Sequence, residues 1–303
     1  MKRSKFIYSL AGAAALTATA FTTPGYATGA TAEGTAGACS LGTESITATG
    51  GDTGSMVTAT KPPSQDSGTT AGIFQPGQVR LASNFIHEPN IAGMDVSGWV
   101  IQGDTLYYSS YPTNDPAQKI LRRIGGGWRN YTALEISQYD EGPSGAGHRS
   151  SAYGLRSDGT LLRWDMQGET WRSTGSATGF GSVKSMALIS KTRTYDTFLA
   201  NLSGGALYTI RIPATAPMKP VVKKVRTSTW QGFEKLIASK CGVNGTLLLA
   251  IDKDTKAGYL YAVSHANGAA TVINGLGKVT GTFPNAVNFR WGVVSELDPL
   301  NGE

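Results

Sequence analysis

The chain has 303 residues, of which 16% are charged and 40% hydrophobic, and its formal net charge at pH 7 is +6. This length allows a sizeable hydrophobic core. The mild basic excess is far from the concentrated positive charge of a nucleic-acid-binding protein. The 39 glycines and 13 prolines, in a chain without helical apolar spacing, indicate an all-β protein with many turns.

The first 30 residues predict a secretory signal peptide. Lys2, Arg3 and Lys5 form a basic start, residues 6–21 are apolar or small, and small residues follow at positions suited to cleavage. The apolar run is shorter than the ~20 residues that a membrane-spanning helix needs. We therefore expect a secreted, extracellular protein without a membrane span, whose formal net charge is halved by cleavage.

Residues 31–70 predict a flexible extension, because Gly, Thr, Ser and Ala dominate and few large apolar residues are present. Residues 45–49 (SITAT) and 55–60 (SMVTAT) nonetheless carry β-branched residues. The segment is then either a solvated linker or a docking segment that adds a strand to a protein partner. The second interpretation assigns partner binding to Ser45, Ile46, Thr47, Ala48, Thr49, Met56 and Val57. The docking interpretation predicts that deleting residues 31–68 abolishes assembly and leaves the melting of the folded domain nearly unchanged.

The two cysteines are Cys39 and Cys241. In an oxidising compartment we expect them to form a disulfide, the alternative being two unpaired thiols. No CxxC motif occurs and the three histidines stand far apart in sequence, so we expect no metal site. No motif predicts a cofactor.

From residue 94 onward a two-strand unit recurs four times. Each copy is a short strand, a tight Gly or Asp turn and a second strand, as in YGLRSDGTLLRWD at residues 153–165. The second strands begin at Leu106, Leu161, Leu207 and Leu260. Each hairpin is followed by a third strand, by a turn that usually contains an aromatic residue, and by a fourth, apolar stretch. We assign that fourth stretch to the end of the same unit.

Four strands at a period of about 50 residues are typical of β-propeller blades. We predict a propeller of four to five four-stranded blades over residues 71–303. The main alternative is a β-sandwich, whose strands would not recur in groups of four. Residues 71–88 supply one or two further strands. The ring therefore either gains a fifth blade from N- and C-terminal strands or is incomplete, with an open edge that invites strand addition.

Three tryptophans, Trp128, Trp171 and Trp230, lie in polar turns that follow the third strands. The flat face of a sugar stacks well on an indole ring, so these residues are the candidate carbohydrate-binding residues. The alternative is that each ring packs between neighbouring blades as part of the core.

No catalytic constellation is convincing. The carboxylates considered for a glycosidase pair are Asp95, Asp104, Asp140, Glu141 and Asp165. Turns and solvated loops explain them more simply, as they explain Ser144 near His148 and the DKD turn at residues 252–254. We expect a binding protein without catalytic activity, and a secreted propeller glycoside hydrolase is the weaker alternative.

The GTLLRWD motif, followed by the turn tryptophan Trp171, resembles the repeats of tachylectin-type β-propeller lectins. That resemblance implies binding of cell-surface glycans between neighbouring blades. A signal peptide, a Thr/Gly-rich extension and a divergent propeller also resemble the secreted propeller subunits of actinobacterial umbrella toxin particles. This second resemblance implies assembly with other secreted proteins into a hetero-oligomer.

Overall fold

The structure is a computed structural model that describes residues 38–141, 147–168, 170–293 and 298–303. The predicted signal peptide lies outside the described residues. The described chain is all-β, with one short 3-10 helix at Pro116–Gln118. No helix in this part of the chain is long and apolar enough to cross a membrane.

The strands are, in chain order, Ser40–Ile46 (β1), Asp52–Thr58 (β2), Ser64–Thr70 (β3), Val79–Asn90 (β4), Gly93–Gln102 (β5), Thr105–Pro112 (β6), Ile120–Gly126 (β7), Tyr131–Asp140 (β8), His148–Arg156 (β9), Leu161–Gln167 (β10), Thr170–Ala177 (β11), Val183–Lys191 (β12), Tyr195–Leu202 (β13), Leu207–Pro213 (β14), Val221–Arg226 (β15), Lys235–Cys241 (β16), Gly245–Asp252 (β17), Ala257–Val263 (β18), Ile273–Thr282 (β19) and Val287–Gly292 (β20).

Three of the sheets are four-stranded antiparallel meanders, β8 to β11, β12 to β15 and β16 to β19. The remaining sheet has eight strands in the order β3-β2-β1-β20-β4-β5-β6-β7. Its two four-stranded halves are antiparallel ladders, joined only by a short parallel pairing of Trp291 with Phe85 and Gly292 with Ile86. Repetition of four-stranded sheets is the architecture expected of a β-propeller.

The strands β4, β8, β12, β16 and β20 contact one another in a closed cycle. Four of them, β8, β12, β16 and β20, are the apolar stretches that sequence analysis placed at the end of each unit, and that assignment was off by one strand. The stretch YTALEIS, for example, pairs with β9 of the following hairpin and thus begins a new sheet. It is apolar because a strand packed between neighbouring sheets is buried on both faces, whereas the last strand of a sheet, such as β7, is largely exposed.

The extension predicted over residues 31–70 is corrected by the structure for residues 38–70, which form β1, β2 and β3. Strand β1 pairs antiparallel with β20 over four residue pairs, from Thr43 with Arg290 to Ile46 with Val287. Leu41 and Val57 are fully buried among apolar residues of β16 to β19. The segment needs few large apolar residues because its sheet partner and most of its core come from the C-terminal third of the chain.

The predicted disulfide between Cys39 and Cys241 is present, with a Cα–Cα distance of 5.5 Å and a sequence separation of 202 residues. It links the residue before β1 to the end of β16. The bond therefore fastens the N-terminal strands to the neighbouring sheet.

Candidate functional site

Trp128 and Trp230 belong to a feature that recurs five times. In each copy an aromatic residue precedes one of the five strands of the closed cycle, and its ring is buried. Its backbone N–H donates to a carbonyl in a hairpin turn earlier in the chain, over 2.8 to 3.0 Å. The five pairs are Phe74 with Gly50, Trp128 with Asp104, Phe180 with Gly159, Trp230 with Gly205 and Phe283 with Lys256.

The carbohydrate-binding prediction is therefore corrected for Trp128 and Trp230, which are 6% and 5% exposed. A sugar cannot stack on a ring that already packs between two sheets. The prediction failed because the polar sequence neighbours of both tryptophans lie in the loops that connect the sheets, whereas the tryptophan rings themselves reach the core. Phe74, Phe180 and Phe283, at intervals of about 50 residues in the same series, were the signal that sequence analysis missed.

Trp171 lies elsewhere, on the outer strand β11, and is half-buried. Its ring packs edge-to-face on Trp99 with centroids 6.1 Å apart. Trp128 and Trp171 share one hydrophobic cluster, but Trp230 lies in another. The three tryptophans therefore do not form one site.

The residues predicted to bind a protein partner all lie within β1, β2 and the turn between them. Ser45 and Ile46 pair with β20, and Met56 and Val57 pair with β1. The remaining three residues, Thr47, Ala48 and Thr49, lie in the turn. A hydrogen bond of 2.9 Å, which the Thr47 N–H donates to the Gly51 carbonyl, closes this turn. Strand addition does occur, but the sheet that receives the strand belongs to the same chain.

The candidate carboxylates serve local structure. Asp104 accepts the Arg129 backbone N–H at 2.6 Å, and Asp95 accepts the Asn90 amide at 2.8 Å. Asp165 accepts the Ser151 hydroxyl at 2.6 Å. Among the residues that the structure describes, no group of three or more His, Cys, Asp or Glu side chains could hold a metal ion.

A cleft that we call the hydroxyl cleft opens between the end of β19 and the strands β1 to β3, with about 770 Å³ of empty space. Hydroxyl and amide side chains dominate its walls. Its lining residues are Thr43, Glu44, Ser45, Thr47, Thr53, Ser55, Gln65, Ser67, Thr69, Thr282, Phe283, Pro284, Asn285 and Asn288. Sequence analysis missed this site because a Ser/Thr-rich stretch is also typical of a linker. The signal was the period-two spacing of Gln65, Ser67 and Thr69, which places all three side chains on one face of β3.

Hydrogen bonds hold several of these side chains in place. Gln65 Nε2 donates to Ser55 Oγ at 3.1 Å, and Asn285 Nδ2 donates to Ser45 Oγ at 2.8 Å. Gln65 Oε1 is buried and accepts no hydrogen bond. Gly281 leaves the room for it, because a Cβ at that position would come within 1.9 Å of Gln65 Oε1. The cleft thus offers fixed donors and acceptors, which is what recognition of sugar hydroxyls requires.

The equivalent cleft between β11 and the strands β13 to β15 has about 840 Å³ of empty space and a different chemistry. Its walls are mostly apolar, and they include Phe180, Tyr208, Ile210 and Val222. At two other junctions, aromatic rings fill the corresponding place. Tyr131 and Trp164 pack on Trp128, and Phe233 and Tyr261 pack on Trp230.

Behind the hydroxyl cleft, Glu44, Asp52, His87 and Tyr111 form a buried ionisable cluster. His87 Nε2 lies 2.5 Å from Glu44 Oε1, and Tyr111 donates to Asp52 Oδ2 at 2.6 Å. Burial raises the pKa of Glu44 and of Asp52 well above their usual range and lowers the pKa of His87 to about 4. These directions favour a protonated Glu44 that donates to neutral His87, although the two groups are within ion-pair distance.

No protein-family model matches the sequence, and no curated protein matches it. Among solved structures, the chain is similar to a fungal lectin from Aleuria aurantia, described as a six-bladed β-propeller that recognises fucose. The TM-score is 0.50 and the identity 14%, over 82% of this chain and 84% of the lectin. The fold is a β-propeller.

Two further solved structures are less similar to this propeller. An α-L-arabinofuranosidase from Podospora anserina has a TM-score of 0.45 and 13% identity, over 73% of this chain and 80% of the enzyme. The catalytic domain of a GH62 α-L-arabinofuranosidase from Coprinopsis cinerea has a TM-score of 0.44 and 16% identity, over 70% and 73% of the two chains. These two similarities assign no activity to this chain.

Proposed function

We propose that the protein is a secreted β-propeller lectin that binds a glycan in the hydroxyl cleft and acts without catalysis. The observation that carries this proposal is the wall of fixed hydroxyl and amide groups beside the exposed Pro284. Sugars are recognised by such groups together with a small apolar surface. The fold shared with a propeller lectin supports the proposal.

We infer that the propeller has five blades. The connecting hydrogen bond recurs five times, and the first strands of the sheets contact one another in a closed cycle. The fifth blade then consists of the C-terminal strand β20 and the N-terminal strands β1, β2 and β3. Joining both ends of the chain in one blade closes the ring, because β1 covers the edge that β20 would otherwise expose.

Secretion is supported by the composition of residues 1–30 and by the disulfide, which forms and persists in oxidising compartments. Assembly into a larger secreted particle, resembling umbrella toxin particles, is a separate proposal that rests on the sequence resemblance. A partner in such a particle would need a surface other than β1 and β2, which pair within the chain. Co-purification of the tagged protein with other secreted proteins from culture supernatant tests this proposal.

The first prediction concerns Ser67, which is exposed on β3 and lines the hydroxyl cleft. A Ser67→Trp variant fills the cleft, so we expect it to lose binding on a glycan array while its melting temperature stays unchanged. Asp66→Trp is the matched control. Successive side chains of a strand point to opposite faces, so this variant should keep binding.

Glycan binding that survives Ser67→Trp would show that the hydroxyl cleft is not the site. Loss of binding in Trp171→Ala instead would move the site to β11, as the sequence predicted. Release of sugar from a polysaccharide, abolished by Asp165→Asn, would replace the lectin proposal with a glycosidase.

A further inference from the structure

A third cavity, which we call the axial funnel, opens where the strands β4, β8, β12, β16 and β20 begin. It has about 490 Å³ of empty space. Residues from β4, β8, β12, β16 and β20 and from the turn after β17 contribute to its walls. The funnel therefore lies on the axis of the ring and is separate from the hydroxyl cleft.

Four cationic side chains line the axial funnel, Arg80, Lys184, Lys235 and Lys253, and Glu234 is the carboxylate among its lining residues. Lys184 is bound to Glu234. Lys235 reaches towards β8, where its Nζ lies 3.3 Å from Glu135 Oε1. Even with both carboxylates counted, the positive charges exceed the negative ones.

Arg80 and Lys253 donate to backbone carbonyls. Arg80 donates to the carbonyls of Gly103 and Trp128, each at 2.8 Å, and Lys253 donates to that of Ala286. Carbonyl groups carry no net charge, so they leave the positive charge of these side chains uncompensated. A guanidinium has five N–H donors and an ammonium three, which leaves donors on both for a ligand.

Lys253 is held in an unfavourable setting. Burial lowers the pKa of its ammonium group, repulsion from Lys235 lowers it further, and attraction to Glu234 opposes both effects in part. A partly buried cation that faces another cation is stabilised when an anion binds between them. Phosphate, sulfate and carboxylate groups accept several charge-assisted hydrogen bonds at once, which matches several cationic donors around one cavity.

We propose that the axial funnel binds a small oxyanion, a phosphate, sulfate or carboxylate group, through Lys253, Lys184 and Arg80. The anion is either a free ion or the acidic group of a saccharide. This site is independent of the glycan site proposed above, because the two cavities share only Asn288.

The test titrates the full chain with sodium phosphate and sodium sulfate and follows the melting temperature. Sodium chloride at equal ionic strength corrects for general screening. We expect a saturable rise with phosphate or sulfate. The Lys184→Gln and Lys253→Gln variants should bind about tenfold more weakly, the loss expected for one charge-assisted hydrogen bond. Lys278→Gln, which removes an exposed charge on β19, should respond like the wild type.

Glucuronate and glucose identify the source of the anion. A response to glucuronate but not to glucose assigns the funnel to acidic sugars, and a response to the inorganic ions alone assigns it to a free anion. The proposal is overturned by an equal response to chloride, by an equal loss in Lys278→Gln, or by no response to any anion. Melting without added anion shows whether each variant is folded, and neutral-glycan binding by these variants reports separately on the hydroxyl cleft.

Discussion

At the scale of single residues, the buried ionisable cluster of Glu44, Asp52, His87 and Tyr111 links folding to pH. It lies where β1 and β2 meet the sheet of β4 to β7. Glu44 Oε2 and Asp52 Oδ1 are buried without a hydrogen-bond partner. Ionisation of either carboxyl would leave a charge without solvation, and this explains why burial raises the pKa of both.

The resulting pH dependence has a definite sign for Asp52. Because its pKa is raised in the folded protein, the unfolded chain ionises first as the pH rises above about 4. The contribution of Asp52 to stability therefore falls towards neutral pH, by about 1.4 kcal/mol for each unit of pKa difference. His87 acts in the opposite sense, since its lowered pKa reduces stability as the pH falls from about 6.5 towards 4.

An Asp52→Asn variant isolates the first effect. The amide oxygen can still accept the Tyr111 hydroxyl, but the side chain no longer ionises. We expect the stability of this variant, relative to the wild type, to increase between pH 4 and pH 8 in urea unfolding. A difference that stays constant over this pH range for Asp52→Asn would contradict the assignment.

At the scale of elements, the first and last strands of each sheet have different roles. Strand β12 is buried along most of its length, whereas β15 exposes Val221 and Val222 with its lysines. The elements that hold the ring together come from the two ends of the chain, β20 and β1. The disulfide cross-link lies next to this junction, since Cys39 directly precedes β1.

Replacement of both cysteines, in a Cys39→Ser/Cys241→Ser variant, should lower the free energy of unfolding by about 5 kcal/mol. The reason is that a loop of 202 residues loses much conformational entropy when it is closed in the unfolded chain. Urea unfolding of oxidised wild type and variant measures the difference. As a control, the wild type with its disulfide reduced should have the same free energy of unfolding as the variant. Equal free energies of unfolding for the oxidised wild type and the variant would show that the disulfide does not constrain the unfolded chain.

At the scale of the whole molecule, the N-terminal strands complete the ring. Deleting residues 38–70 removes β1 to β3, exposes one edge of β20 and opens the core around Leu41 and Val57. We therefore expect the truncated chain to lose its cooperative melting transition. The sequence had predicted the opposite, a nearly unchanged transition.

Calorimetry of three chains decides between these expectations. They are the wild type, a chain that begins at Ala38 and a chain that begins at Ala71. The chain that begins at Ala38 keeps all twenty strands that the structure describes, so we expect it to melt like the wild type. A cooperative transition at the wild-type temperature in the chain that begins at Ala71 would show that β1 to β3 are dispensable.

The sequence by itself determined the all-β class, the recurrence of four strands and the cysteine pairing. These follow from local properties: Asp-Gly turns, alternating side chains and an even number of cysteines in a chain for which we predict a signal peptide. The DGT turn at residues 158–160, for example, forms the hairpin between β9 and β10 as predicted.

Only the tertiary structure decided where the sheets begin, what the tryptophans do and whether residues 38–70 are ordered. Each of these depends on contacts between residues far apart in the chain. Strand β1 has too little apolar surface to fold alone and becomes ordered because β20 and the core beside β16 supply it with partners. The sequence neighbours of Trp128 are polar, but its spatial neighbours are apolar, because its ring packs into a cluster shared with the neighbouring sheet. The hydroxyl cleft and the axial funnel arise in the same way, from side chains that only closure of the ring brings together.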